Sequence, residues 1–203
     1  VSSAPDQETI SAGRNNVAAR TRRSILMAAA HIFAARGYHA ASMTDVQAAV
    51  GCSRGTLYYH FSSKDEILFE ICLSSTERQL REAKEIAARG DSAEDTVALL
   101  VDSVLGEIFT HRDSVLVIQR ELESLTQERR LTIRSMRDEY ETVWADLFGR
   151  AVKEGHFRSV DHIELKALLG MLVHVGSWVR EGPIKRVELV DRFAGLILRS
   201  VRV

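Results

Sequence analysis

Gly51-Cys52-Ser53-Arg54-Gly55-Thr56-Leu57-Tyr58-Tyr59-His60-Phe61, followed by Ser62-Ser63-Lys64, is the stretch on which the reading of this 203-residue chain turns. Leu57 and Phe61 are four residues apart, so on a helix they share one face and bury it. Ser53, Arg54, Thr56, Tyr58, Tyr59, His60 and Lys64 are hydrogen-bonding or charged, and most fall on other faces. A short helix with an apolar anchor and a polar, aromatic, basic outer side suits insertion into a groove of nucleic acid.

The residues upstream complete a unit. Ile25, Leu26, Ala29, Ile32 and Phe33 repeat at helical spacing and predict a helix from about Thr21 to Arg36, closed by Gly37. Ser42-Met43-Thr44-Asp45 reads as a capping box that opens a second helix, Met43 to Val50, with Val46, Ala49 and Val50 inward. Gly51 allows a tight turn, and Ser53 caps a third helix, Arg54 to His60. Two short helices joined by a glycine-containing turn form the helix-turn-helix pattern. Residues 1–19 carry no apolar period and are expected to be a disordered arm. Arg20, Arg22 and Arg23 at its end are either a solvated cluster or a contact for phosphates or a minor groove.

Downstream, every segment reads as helix. Ser63-Lys64-Asp65-Glu66 caps a helix reaching about Ala88, with Ile67, Leu68, Ile71 and Cys72 inward. Lys64 is mildly unfavourable in a helix first turn, and a phosphate there reverses the sign. Further helices are expected at about 92–110, 113–124, 127–154, 161–179 and 187–201. The last two have apolar stripes wider than one core needs, which predicts packing against a second copy of the chain. The expected fold is all-α, with about nine helices. A disordered arm (1–19) leads to a three-helix helix-turn-helix head (20–66), then to a six-helix ligand-binding and dimerisation body (67–203).

Charge divides the chain close to the same boundary. Residues 1–62 hold six bases against three acids, a net of +3, while residues 63–203 hold 21 bases against 25 acids, a net of −4. A basic head on an acidic body fits a nucleic-acid-binding unit joined to one with another task. Cys52 and Cys72 form no ligand cluster with the seven histidines and read as reduced thiols. No apolar run is long enough for a membrane span, and the expected location is the cytoplasm, on the nucleoid when bound to DNA. With no metal-ligand spacing, no nucleophile motif and no phosphate loop, neither an enzyme nor a cofactor is expected.

The motif from Thr44 through Gly51–Phe61 to Lys64, with Phe33-Ala34-Ala35-Arg36-Gly37-Tyr38 before it, resembles the DNA-binding signature of the TetR family of bacterial transcriptional regulators. Gln47 and Cys52 depart from it, standing where Ala and Val or Ile are usual. The resemblance implies a dimeric repressor on a palindromic double-stranded DNA operator, released by a small effector. It also implies roles. Thr44, Tyr59, His60 and Lys64 would hold phosphates, Arg54 would read guanine, Thr56 and Tyr58 would meet base edges, Gly55 would allow close approach, and Ser53 stands at the cap between them.

In that family the body takes the effector. Large or polar residues on inward faces are the expected lining: Phe109, Gln119, Met136, Tyr140, Trp144, Phe148, Met171, His174 and Trp178, with His174 and Trp178 the first pair. Arg120-Glu121-Leu122, Glu154–Arg158 and Ser177–Pro183 resemble a branch that represses steroid and fatty-acid catabolism and answers to acyl- or steroid-coenzyme A thioesters. There Arg180, with Lys185 or Arg186, would meet the phosphates. The rival reading is a helical ligand-binding or scaffold protein without sequence-specific DNA binding.

Overall fold

A computed structural model describes residues 7–179 and 184–203. Among them run nine α-helices: α1 Gln7–Arg36, α2 Met43–Val50, α3 Arg54–His60, α4 Lys64–Ala87, α5 Ala93–Thr110, α6 Arg112–Glu121, α7 Gln127–Lys153, α8 His162–Trp178 and α9 Arg186–Val201. Leu122–Ser124 is a 3-10 turn that closes α6 earlier than the apolar spacing suggests. The only β-type pairing among the described residues is an isolated bridge between Phe157 and Arg202.

The capping residues set the helix starts. Ser42 accepts from the Asp45 N–H while Asp45 accepts from the Ser42 N–H, a complete box at α2. Ser53 caps α3 through the Thr56 N–H, Ser63 caps α4 through Glu66, and Asp161 with Glu164 closes a second box at α8. Gly51 ends α2 in the left-handed region at φ 70°, where a side chain would be strained.

The first helix departs from expectation. It begins at Gln7, so residues 7–19, expected as a disordered arm, are helical. Their Ala, Glu, Gln and Arg have helix propensity, which a search for an apolar stripe does not register. Residues 1–6 lie outside the described residues.

Two cores form. The head core gathers Ile25, Phe33, Val46, Leu57 and Phe61 with Ile67, Leu68, Ile71 and Cys72 of α4, Val117 of α6 and Ile133 of α7. It therefore draws on both sides of residue 66. The body core gathers Leu100, Leu105, Trp144, Phe148, Leu172 and Ile197, with α5 packed on α9 and α4 on α7. Helix α6 belongs to both, through Val115 in the body core and Val117 in the head core. Its polar residues also hold α1 and the loop that follows it. Asp113 lies 2.9 Å from His31 Nδ1, Arg120 donates to the Ala34 carbonyl, and Glu121 accepts the Tyr38 N–H.

Candidate nucleic-acid interface and effector cavity

Helix α3 is anchored by two side chains and otherwise faces outward. Leu57 and Phe61 are buried, as their spacing requires. Arg54 and Gly55 are exposed, Tyr58 is 44% and Tyr59 81% exposed, and Thr44 is exposed at the start of α2. Burying Leu57 alone contributes about 2 kcal/mol, enough to fix the rotation of so short a helix. The outer groups are held in order. The Arg54 guanidinium lies over the Tyr58 ring at 5.5 Å, and Tyr59 and His60 meet edge to face at 5.1 Å. The Ser53 and Thr56 hydroxyls are 2.9 Å apart. A Cβ placed on Gly55 would meet only Ser53 Oγ, at 3.8 Å. The contacts among the described residues give no steric reason for glycine there.

Two cations expected near phosphate are engaged within the protein. Lys64 Nζ donates to the carbonyl oxygens of Tyr38 at 2.8 Å and Ala41 at 2.7 Å, and lies 4.3 Å from the Tyr38 ring centre. These carbonyls compensate its place in the first turn of α4 and leave the third ammonium proton without an acceptor among the described residues. Arg22 pairs with Glu70 at 2.9 Å and covers the Phe61 ring. The Glu70 hydrogen bond raises its pKa, against partial desolvation. Arg20 and Arg23 are exposed. Cys52 is half-buried and packs against the head core, filling the place of a larger apolar residue.

The body encloses a cavity of about 90 Å³ between α4, α6, α7 and α8. Thr76, Val115, Gln119, Arg137, Tyr140 and Leu169 are among its walls. Burial pushes the Tyr140 phenol up to about 12, while the Trp144 indole pulls the other way. Ile118, Gln119, Arg137 and Glu141 also line an outer hollow, joined there by Arg134 and Lys166. Lys166 pairs with Glu141 and Arg134 with Glu123, while Arg137 has no ion pair among the described residues.

Of the expected lining, Gln119 and Tyr140 are in place. Trp144 and Phe148 follow Tyr140 at four-residue steps of about 6 Å along α7, which carries them past the cavity into the solid body core. Met136 and Met171 are half-buried beside these elements without lining the cavity. Phe109 is 41% exposed in a separate groove beside Met27 and His31. His174 and Trp178 are exposed on α8, with Trp178 46% exposed. Arg186 is clamped on Asp102 of α5 at 2.6 and 2.8 Å, which leaves it no free fork for a phosphate. Arg180 lies outside the described residues. Sequence reasoning missed Thr76, Gln79 and Arg137. Their polar character on half-inward positions was the available signal, hidden by a search for large apolar groups.

A helix-turn-helix head with an outward, ordered third helix, fused to a helical body around a cavity, is the architecture of a DNA-binding regulator that carries head and sensor in one polypeptide. Residues 25–71 match the model described as bacterial regulatory proteins, tetR family, and residues 90–201 match the tetracyclin repressor-like C-terminal domain. The chain belongs to the TetR family and is a DNA-binding transcriptional regulator, not an enzyme. It is 32% identical to the HTH-type transcriptional repressor KstR2 of Rhodococcus jostii (strain RHA1), covering 84% of this chain and 85% of that one. The TetR family regulator PfmR from Thermus thermophilus superposes with a TM-score of 0.80 at 30% identity, covering 86% of this chain and 97% of that one. AibR, solved in complex with isovaleryl coenzyme A and operator DNA, superposes with a TM-score of 0.77 at 23% identity, over 87% of this chain and 97% of that one. No helix among the described residues is long and apolar enough to cross a membrane.

Proposed function

We propose that the chain is a repressor that binds a palindromic operator as a homodimer, and that a coenzyme A thioester with a small apolar acyl part releases it. One observation carries the coupling. The helices that wall the cavity, α4 and α6, are the helices bonded to the DNA-binding head. Thr76 and Gln79 of α4 face the cavity, while Lys64 at its other end holds the loop before α2. Helix α6 presents Val115, Ile118 and Gln119 to the cavity, Asp113 and Arg120 to α1, and Glu121 to Tyr38 in the loop after α1. A ligand that spreads α4 from α6 therefore re-aims α3. Since release requires differential affinity, the ligand must fit the spread arrangement better.

In this reading Arg54, Thr56 and Tyr58 meet base edges, Thr44, Tyr59 and His60 hold phosphates, and Gly55 admits the DNA backbone. Ser53 acts as the cap and Lys64 as a brace behind the contact surface. The acyl part enters the cavity, and the phosphates meet Arg137 at the outer hollow. Ile163, Ala167, Gly170, His174 and Trp178 form the exposed stripe of α8 that packs on a second copy, with Leu196 of α9 beside it. Such a dimer places its two α3 helices in successive major grooves, about 34 Å apart. The protein then works in the cytoplasm, on the nucleoid.

Selection of bound duplexes from a random library, followed by fluorescence anisotropy on the recovered operator, tests the reading. The expected product is a palindrome bound with steep salt dependence and released by butyryl-coenzyme A at concentrations where free coenzyme A has no effect. Failure to recover any salt-dependent palindrome would remove the DNA reading. A thioester no better than free coenzyme A would remove the effector.

A further inference from the structure

The junction of α5 and α6 carries a guanidinium without an acceptor among the described residues. Arg112 Nε is screened from solvent and unpartnered, while the two outer nitrogens are not screened. Carboxylates lie close by in sequence but are engaged elsewhere. Asp113 lies 2.9 Å from His31 Nδ1, and Glu107 accepts from Arg78 at 2.6 Å and Ser75 at 2.7 Å. Arg112 lines a hollow of about 560 Å³ between α1 and this junction. Met27, Ala30 and His31 form the α1 wall, with Phe109 and His111 facing them. Met27 is 67% and Phe109 41% exposed, so two large apolar groups stand beside the unpaired cation. The volume suits a small molecule, and the hollow shares no residue with the cavity between α4, α6, α7 and α8.

We infer that this hollow is a second ligand site, which takes a small aromatic carboxylate: Arg112 holds the carboxylate, and the ring lies on Met27 and Phe109. The site stands without the effector reading. A guanidinium presents a planar fork of donors that matches a carboxylate, and such charge-assisted pairs are about twice as strong as neutral ones. The ring follows from its neighbours, since a thioether and a phenyl group both pair favourably with aromatic faces and edges. A single negative charge follows from Asp113, whose carboxylate lines the same hollow and opposes a dianion. His31 and His111 complete the polar wall. The ligand touches α1 of the head and the α5–α6 junction of the body, so it ties the two units together across their seam.

The test uses 3-phenylpropionate and its neutral isostere 3-phenylpropionamide, with the full chain and ligand-observed NMR for the dissociation constants. Wild type is expected to bind the acid saturably and at least about tenfold more tightly than the amide. In Arg112→Gln the ratio falls to near one, while Phe109→Ala weakens both probes alike. Arg137→Gln, at the effector cavity, leaves the ratio unchanged. Equal affinities in wild type, no saturable binding, or a ratio that survives Arg112→Gln each overturns the inference. A ratio lost in Arg137→Gln instead would put the acid in the effector cavity and overturn it too. The wild-type ratio decides the matter even if a variant folds poorly. Failure of the effector reading looks different: butyryl-coenzyme A leaves the operator complex intact while the preference for the acid, and its dependence on Arg112, stand.

Discussion

Lys64 reaches back across 26 residues of chain to donate to the carbonyl oxygen of Tyr38 at 2.8 Å. With its second bond to Ala41, this ammonium ties the start of α4 to the loop between α1 and α2. A cation one helix away from α3 would otherwise read as a phosphate ligand.

Lys64→Ala is therefore expected to act on stability first. Losing two charge-assisted bonds at a half-buried site should cost about 1–2 kcal/mol, a fall in Tm of roughly 2–8 °C. The slope of log affinity against log salt should stay at its wild-type value. A slope shallower by about 1 would instead place the ammonium on the DNA.

Arg54→Ala should weaken operator binding by about 1–3 kcal/mol and relax preference at one base pair in each half-site, with the melting temperature unchanged. Arg54 is exposed and its contact within the chain is the Tyr58 ring, so the fold loses little. Competition binding against single-base operator variants measures this, and a uniform loss across all variants would make Arg54 a phosphate ligand.

Acid should loosen the head's caps. Asp45 and Glu66 are held below their ordinary values of 3.8 and 4.5, first by side-chain hydrogen bonds from Ser42 and Ser62 and then by backbone bonds from the same residues. A depressed carboxyl stabilises the folded state fully above its unfolded pKa, and the gain is lost as pH falls through the lower folded value. Thermal melts should thus show no contribution from these groups between pH 8 and 6 and a decline below about pH 4.5. Ser42→Ala with Ser62→Ala should flatten that decline. An unchanged acid limb in the double variant would count against it.

The two thiols should separate cleanly. Cys72 is fully buried, and desolvation pushes its thiol up to about 12, whereas Cys52 is half-buried near the α2–α3 turn. A disulfide-exchange reagent should modify Cys52 alone in the native protein and both after denaturation. Rapid native modification of Cys72 would mean that the head core opens readily.

The helix-turn-helix was legible because its signals are local. Caps at Ser42, Ser53 and Ser63, the turn at Gly51 and the Leu57–Phe61 pair act within a few residues, and each stands where its chemistry places it. The cavity was poorly legible because it depends on how four helices pack. Tyr140, Trp144 and Phe148 share one face of α7, yet only the first meets open space. His174 and Trp178 shared the apolar character of α8 without sharing its inner side, since two positions on from Leu172 a helix has turned through about 200°. The roles of Lys64 and Arg22 depended on acceptors far away in sequence, at Tyr38, Ala41 and Glu70. Charge and position alone could not show these internal bonds.

Helix α6 places Val115 in one core and Val117 in the other. The chain is thus not divisible where its DNA-binding motif ends. A gene fusion that grafts a foreign head at residue 66 would seat it on a mismatched floor of α4, α6 and α7 side chains. Point changes on the outer side of α3 disturb neither core. Among descendants of such a gene, retargeting by single substitutions is the accessible route, and shuffling of heads is the obstructed one.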